Sequence, residues 1–284
     1  GIQRFSDPLE EKSGGRMKFQ LYYSGVLGSK PSTVQGLQTG TIDAAMLMGG
    51  VIADYGAPLL RVFSLPYLFD SVDHARRFEK SEDGQALFRY VQEAGTRIVC
   101  LGAYQESARN YFFTEKDVQH PSDMAGMLIR CQEGAVYYDA IEALGATAQA
   151  VDFSELFTAL QSGIVDGAEQ PLSGFVTNAY PEIAKYFVLD QHEISPNLIL
   201  FSEVVWNRLS DEDKALIQEC FNESIPYFEE ISDAADADYM QQIIDAGVKV
   251  TEVDVAEWKE ACASVYDKYG DEYADLIAQI DAAR

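Results

Sequence analysis

The chain has 284 residues, 47% of them hydrophobic, with 15 Phe and 16 Tyr. That length and apolar content allow two lobes or one large α/β domain with sizeable cores, and they exclude a disordered composition. Its 46 acids against 21 Lys and Arg leave a net charge of −25, which repels nucleic-acid phosphates and anionic membrane surfaces and favours a freely diffusing protein.

Taken in order, residues 3–13 read as a helix entering by Asp7 and Pro8 and ended by Gly14-Gly15. Residues 16–23 alternate, with Met17, Phe19, Leu21 and Tyr23 facing one way, which predicts a half-buried strand. A glycine loop, a short helix near 31–39 and an apolar strand over 42–48 would complete a β-α-β unit with parallel strands. Residues 59–69 lie between prolines and should be irregular. Ser71 caps a helix to Lys80, and a second helix runs from Asp83 to Gly95. Strands follow at 97–103, 108–113, 127–132 and 148–151, with a helix over 134–144 between the last two. Helix 153–162, Gly163 as a left-handed stop, and a strand ending in Glu169-Gln170 come next. A helical pattern from 211 to 246 contains Pro226, which should bend it. A strand at 247–253 and two helices finish the chain. Strands alternating with helices predict an α/β architecture with largely parallel sheets.

One unit occurs twice. LQTGTIDAA at 37–45 answers LQSGIVDGA at 160–168, with eight of nine positions identical or closely similar. Two copies of one helix–glycine–strand unit suggest two similar lobes. The common catalytic signatures are absent: there is no G-x-G-x-x-G, P-loop, H-E-x-x-H or G-x-S-x-G. The four cysteines have no metal spacing and are read as buried free thiols. His74, His120 and His192 are scattered among ordinary surface residues, so no metal site or cofactor is expected. No apolar run reaches the roughly 18 residues that span a membrane, and no signal peptide is visible.

Arginine on strands stands out. Arg130 closes the apolar run Met127-Leu128-Ile129, and Arg109 opens an aromatic extended segment. A buried guanidinium needs a partner, and its planar fork fits a carboxylate. That carboxylate is either a ligand's or one of the chain's own acids. In parallel α/β sheets ligands lie beyond the carboxyl ends of strands. Here those ends present Gly49, Arg130 to Gln132, and Glu169 with Gln170. Phe153 beside them is either an apolar wall or core. Together they describe a small-molecule pocket.

These residues sit in longer stretches with a family likeness. EKSGGRMKFQLYYSGVLGS, LQTGTIDAAM, FSLPYLFDS, ARNYFFTEKDVQHPSDMAGMLIR, ALGATAQAVDFSELFTALQSGIVDGAEQP and WNRLSDEDKALI resemble the DctP-type solute receptors of tripartite ATP-independent periplasmic (TRAP) transporters. The resemblance covers essentially the whole chain. It implies a two-lobed periplasmic-binding-protein fold, with a ligand cleft between the lobes and a long bent helix crossing both. It also implies delivery to a membrane permease and no catalysis. In that family an arginine at the position of Arg130 binds the ligand carboxylate, one matching Arg109 assists, and an aromatic like Phe153 packs on the ligand. The residue at Gln170 is frequently Asn in the family, so the identity of the acid does not transfer by analogy. The family's first strand precedes residue 1 and is not in this sequence.

The expectation is therefore a monomeric receptor, periplasmic or otherwise extracytoplasmic, with its signal peptide removed and a lipid anchor if the cell is Gram-positive. Its lobes would be 1–107 with 196–235, and 108–195 with 236–284. Its ligand would be a sugar acid such as a hexuronate, with C4-dicarboxylates second. Arg130 would anchor the carboxylate, Arg109 would add charge, Phe153 would wall the skeleton, and Glu169 with Gln170 would read hydroxyls. The competing readings are a Rossmann-like enzyme on a keto or hydroxy acid, with His192 or Glu169 as base, and a sensor domain for a signalling partner.

Overall fold

The computed structural model describes residues 2–23 and 25–284. In chain order its strands are β1 Ala44–Met48, β2 Ile98–Tyr104, β3 Asn110–Phe113, β4 Leu128–Cys131, β5 Thr147–Ala150, β6 Gly167–Gln170, β7 Tyr186–Leu189, β8 Asn197–Ser202 and β9 Lys249–Glu252. Among the described residues they make two sheets, ordered β1-β8-β2 and β5-β4-β6-β3-β7-β9.

The three-stranded sheet is antiparallel throughout and the six-stranded one is mixed, so the expectation of largely parallel sheets fails for the first. β8 runs antiparallel to both β1 and β2, and β3 runs antiparallel to both β6 and β7. The remaining pairs, β4 with β5, β4 with β6 and β7 with β9, are parallel. The reversed strands are the two that have just crossed over. β3 follows β2 out of the first sheet and β8 follows β7 out of the second, so each enters its new sheet from the opposite end. The crossing segments are tied together by a bridge between Arg109 and Glu193.

The strand expected at 16–23 is not formed, and with it goes the first β-α-β unit. Residues 17–23 join no ladder among the described residues. Alternation sets which side chains share a face, but a strand also needs a neighbour to take its N–H and C=O groups. The apolar face is nevertheless used: Phe19 packs against Phe5, with ring centroids 5.3 Å apart, and edge-on to Phe201 at 6.0 Å.

The helices follow their caps. Ser71 accepts from the His74 N–H at the start of Val72–Lys80, and Ser210 from the Asp213 N–H at the start of Asp211–Asp245. Gly40 adopts φ 81 at the end of Lys30–Thr39, where a side chain would be strained. Helix Asp211–Asp245 is uninterrupted over 35 residues with Pro226 inside, about 50 Å of rise. Its first half buries Ile217, Cys220 and Phe221 against the three-stranded sheet, and near its far end Ile243 enters the core of the six-stranded one. One continuous helix therefore spans both sheets.

Residues 236–284 do not stay together. Trp258 and Cys262 join a core of the six-stranded sheet, whereas Val265, Tyr269, Tyr273 and Ile280 join Leu60, Phe63 and Phe78 in the core beside the three-stranded sheet. Of the last two helices, Ala263–Tyr269 still packs on helix Ala135–Ala143, with its Lys268 and Tyr269 bonded to Asp139, whereas Ala274–Asp281 returns to the first half, where the Ile280 carbonyl lies 2.7 Å from His74 Nε2. Among the described residues no helix is long and apolar enough to cross a membrane.

Candidate functional site

β4, β5 and β6 are parallel neighbours, so their carboxyl ends open on the same side. Arg130 and Gln132 lie on and just beyond β4, Val151 to Phe153 follow β5, and Glu169-Gln170 end β6. A cavity of about 1740 Å³ runs from the outer edge of β1, past residues 18–23, to the ends of β4 and β5. Arg130, Gln132 and Phe153 line it, together with Lys30, the first residue of helix Lys30–Thr39. Phe153 is half-buried and belongs to none of the cores, which favours the wall over the core alternative.

Arg130 is only 3% exposed. Its Nε donates to the Val151 carbonyl at 3.0 Å, and its nearest carboxylate oxygen, on Glu169, is 3.8 Å away. Burial holds its pKa below the ordinary arginine value despite Glu169. The cation is desolvated and only loosely balanced, an expensive state without a counter-charge.

Lys30 was not singled out from the sequence. Its ammonium donates to the Gln132 side-chain oxygen, and Gln132 in turn donates to the Met48 sulfur at 3.4 Å, so the two sheets meet across this point. The residue is half-buried on the cavity wall. Burial pushes its pKa down to about 8, helped by the neighbouring Arg130 and Arg109 charges. A signal was present in the sequence: a helix N-terminus favours acids, so a lysine in the first turn, with no acid beside it, is out of place.

The other expected site residues lie behind this wall. The β3–β6 ladder pairs Asn110 with Gln170 and Tyr111 with Glu169, which brings the preceding Arg109 against Glu169. The Arg109 Nε donates to the Glu169 carboxylate and lies 3.7 Å from that of Glu193. Burial opposes its charge, but the two carboxylates outweigh it and raise its pKa. Between a ligand and an internal ion pair, the geometry of Arg109 is that of the ion pair. Burial would raise Glu169, yet Arg109 draws it below the ordinary carboxyl range. Glu169 therefore faces two arginines and not the large cavity, and Gln170 is buried beside Gly174. Gly49 is pressed against Phe63, whose ring would lie 2.7 Å from an added Cβ, and it donates its N–H to the Pro196 carbonyl.

His192, expected among surface residues, is buried in the same network. Its Nδ1 is 2.6 Å from the Asp190 carboxylate, and its ring stacks on Tyr111 at 4.0 Å. Burial lowers the tendency of His192 to charge, but Asp190 more than compensates and its pKa rises. Glu193, pushed up by burial to about 7, accepts weakly from the Tyr137 hydroxyl at 3.5 Å. Glu169, His192 and Glu193 place metal-ligating atoms within 4.8 Å of one another. Arg109 already supplies the cation there and Asp190 holds the imidazole, so this donor set does not suit a metal. The four cysteines are all free thiols, three of them buried and Cys100 half-buried.

The model of the bacterial extracellular solute-binding protein family 7, DctP, matches residues 1–272. A solute-binding protein of Chromohalobacter salexigens is 26% identical over 97% of this chain and 81% of its own length. Among solved structures, a TRAP periplasmic solute-binding protein of Pseudomonas putida F1 with bound D-glucuronate superposes with a TM-score of 0.95 at 31% identity, covering 99% of this chain and 91% of that one. One of a Polaromonas species bound to D-erythronate superposes with a TM-score of 0.94 at 28% identity, covering 99% and 92%. A cation-bearing cleft at strand ends between two sheets, in a chain matched from end to end, places it in this group: the chain belongs to the DctP family of solute-binding proteins of TRAP transporters.

Proposed function

We propose that this protein is an extracytoplasmic receptor that captures a small hydroxylated monocarboxylate, a hexuronate or a shorter aldonate, and delivers it unchanged to a TRAP permease. The observation that carries the reading is Arg130, a buried guanidinium on the cavity wall whose nearest carboxylate is 3.8 Å away and engaged by Arg109. A ligand carboxylate would complete its hydrogen bonding bidentately. Phe153 walls the carbon skeleton, Gln132 reads a hydroxyl, and the Arg109–Glu169–Glu193 network holds the strand ends in place. Both structural relatives described above carry hydroxylated acids, which favours that class over C4-dicarboxylates.

The lobes are assigned to the two sheets with their packed helices, and they close over the ligand about the Arg109–Glu193 crossing and helix Asp211–Asp245. Binding without turnover agrees with His192 and Glu169, the candidate bases, being held in ion pairs away from the large cavity. The working unit is a monomer that docks on the permease in its closed form. Titration calorimetry with glucuronate, galacturonate, erythronate, succinate and neutral glucose tests the proposal. Sugar acids should bind and glucose should not. Arg130→Ala should weaken binding by a factor of about 100, as expected for losing a charged hydrogen-bond pair. Wild-type affinity in that variant, or tight glucose binding, refutes the assignment.

A further inference from the structure

Lys30 and Arg130 are the two cations near the strand ends that line the cavity. Arg109 has two carboxylates within 4 Å, whereas the hydrogen-bond partner of Lys30 is an uncharged amide and that of Arg130 a main-chain carbonyl. In a chain with 46 acids against 21 Lys and Arg, two cations on one cavity wall whose hydrogen bonds go to neutral groups, with Glu169 no nearer to Arg130 than 3.8 Å, leave positive charge facing the cavity. They are also neighbours. Arg130 and Gln132 are two positions apart, so they point to the same side of the extended chain, about 7 Å apart by strand geometry. Lys30 sits on the Gln132 amide. A carboxylate between them could hydrogen-bond to both.

Building on the proposed function, we infer that Lys30 is a second cationic contact for the ligand's acid end, held ready by Gln132 and supplied from the half of the molecule opposite Arg130. Lys30 is a specificity residue: an ammonium has three donors and no acceptor. One N–H is satisfied by Gln132, and the others are free for ligand oxygens that accept. A carboxylate, or a ring or keto oxygen beside it, meets that need. A neutral sugar hydroxyl does so only in one orientation and without charge. Because helix Lys30–Thr39 belongs to the first half and β4 to the second, a carboxylate shared by the two cations would also pull the halves together.

The groups around Lys30 define its titration. Arg130 and Arg109 lower its pKa while Glu169 and Glu193 raise it, and burial dominates. Asp54 and Tyr55 from the segment after β1, and Glu133 and Asp152 beyond β4 and β5, also line the cavity. Proton release near pH 8 in the free protein then weakens binding as pH rises, because the ligand prefers the charged ammonium. Sugar acids are fully ionised throughout this range, and arginine does not titrate. Glu193 also titrates near 7, so the comparison must be between variants that share it.

The experiment is titration calorimetry with glucuronate at pH 7 and pH 9 on wild type, K30R and K30M, with thermal melting to confirm folding. Expected at pH 7 is wild-type-like binding by K30R and about 10- to 100-fold weaker binding by K30M, the range for loss of a charged hydrogen bond. From pH 7 to 9 the wild type should weaken about ten-fold further than K30R, while K30M should follow K30R. Binding by K30M within two-fold of wild type, or the same pH profile in wild type and K30R, overturns the role of Lys30 and leaves the receptor assignment standing. If the wild type binds none of the acids tested, the proposed function and this inference fall together. Should K30M fail to melt cooperatively, Lys30→Gln is read in the same way.

Discussion

Arg109→Ala tests the reasoning about the buried network most directly. The native guanidinium lies between the carboxylates of Glu169 and Glu193, both about 5% exposed. Removing it leaves two buried acids and His192 within 4.8 Å of one another, with Arg130 3.8 Å from one of them. Breaking a buried pair by deleting one partner costs about 3–5 kcal/mol. Part of that cost is escaped by protonation, and the direction with pH follows. In the native protein Glu169 has a depressed pKa, so its stabilisation is present above the unfolded carboxyl value and is lost only when pH falls through the depressed one. In the variant Glu169 should instead resemble native Glu193, which burial pushes up to about 7. An acid raised in the folded state loses stability as pH rises from its unfolded value, near 4, through its folded one. The deficit of the variant against wild type should therefore be small at pH 5 and full at pH 8, growing by about 1.4 kcal/mol per pH unit for each extra proton held by the folded form. For a chain of this length the full deficit lowers the melting midpoint by about 10 °C. Thermal unfolding of both proteins at pH 5, 6, 7 and 8 measures it. A deficit independent of pH, or none at pH 8, would show that Arg109 does not neutralise these acids.

Two further outcomes follow from the packing. Gly50→Ala would place a Cβ 2.1 Å from the Ser64 hydroxyl and 3.0 Å from the Tyr137 hydroxyl; it should cost about 1–3 kcal/mol in denaturant unfolding, and Ser64→Ala should recover part of that, whereas an unchanged midpoint refutes the contact. Burial pushes the thiols of Cys100, Cys131 and Cys262 up to about 12, so Ellman's reagent should react slowly with the native protein at pH 8 and release four equivalents after denaturation; rapid native reaction of more than one thiol contradicts this burial.

The candidate site was legible to the extent that its residues break a local rule. Arg130 showed itself as a charge closing an apolar strand, and Phe153 as an aromatic at a strand end. Lys30 broke a weaker rule, a cation at a helix N-terminus, and looks otherwise like any surface lysine; only the approach of the two sheets sets its ammonium on Gln132. Arg109 carried the same local signal as Arg130 but a different outcome. The ion pairs of Arg109 rest on the β3–β6 register and on Glu193 arriving from the other crossing segment, some 84 positions later. His192, between ordinary polar residues in the chain, is enclosed by the same convergence.

Local chemistry settles what is local. Helix caps at Ser71 and Ser210, the left-handed stops at Gly40 and Gly163, and apolar periodicity act within a few residues, so helices and most strands can be placed from the chain alone. The repeated helix–glycine–strand unit and the extended likeness to DctP receptors likewise need no coordinates. Strand direction, pairing and charge compensation are non-local. Alternation at 17–23 could not supply a ladder partner, and the helix pattern at 263–281 could not say which sheet it would cover. Which cations are balanced by the chain's own acids, and which are left facing a cavity, depends on distances of a few ångströms between segments far apart in sequence. Electrostatic energy falls too steeply with distance and burial for the chain order to determine it. Tertiary structure alone separates Arg109 from Arg130 and brings Lys30 beside it.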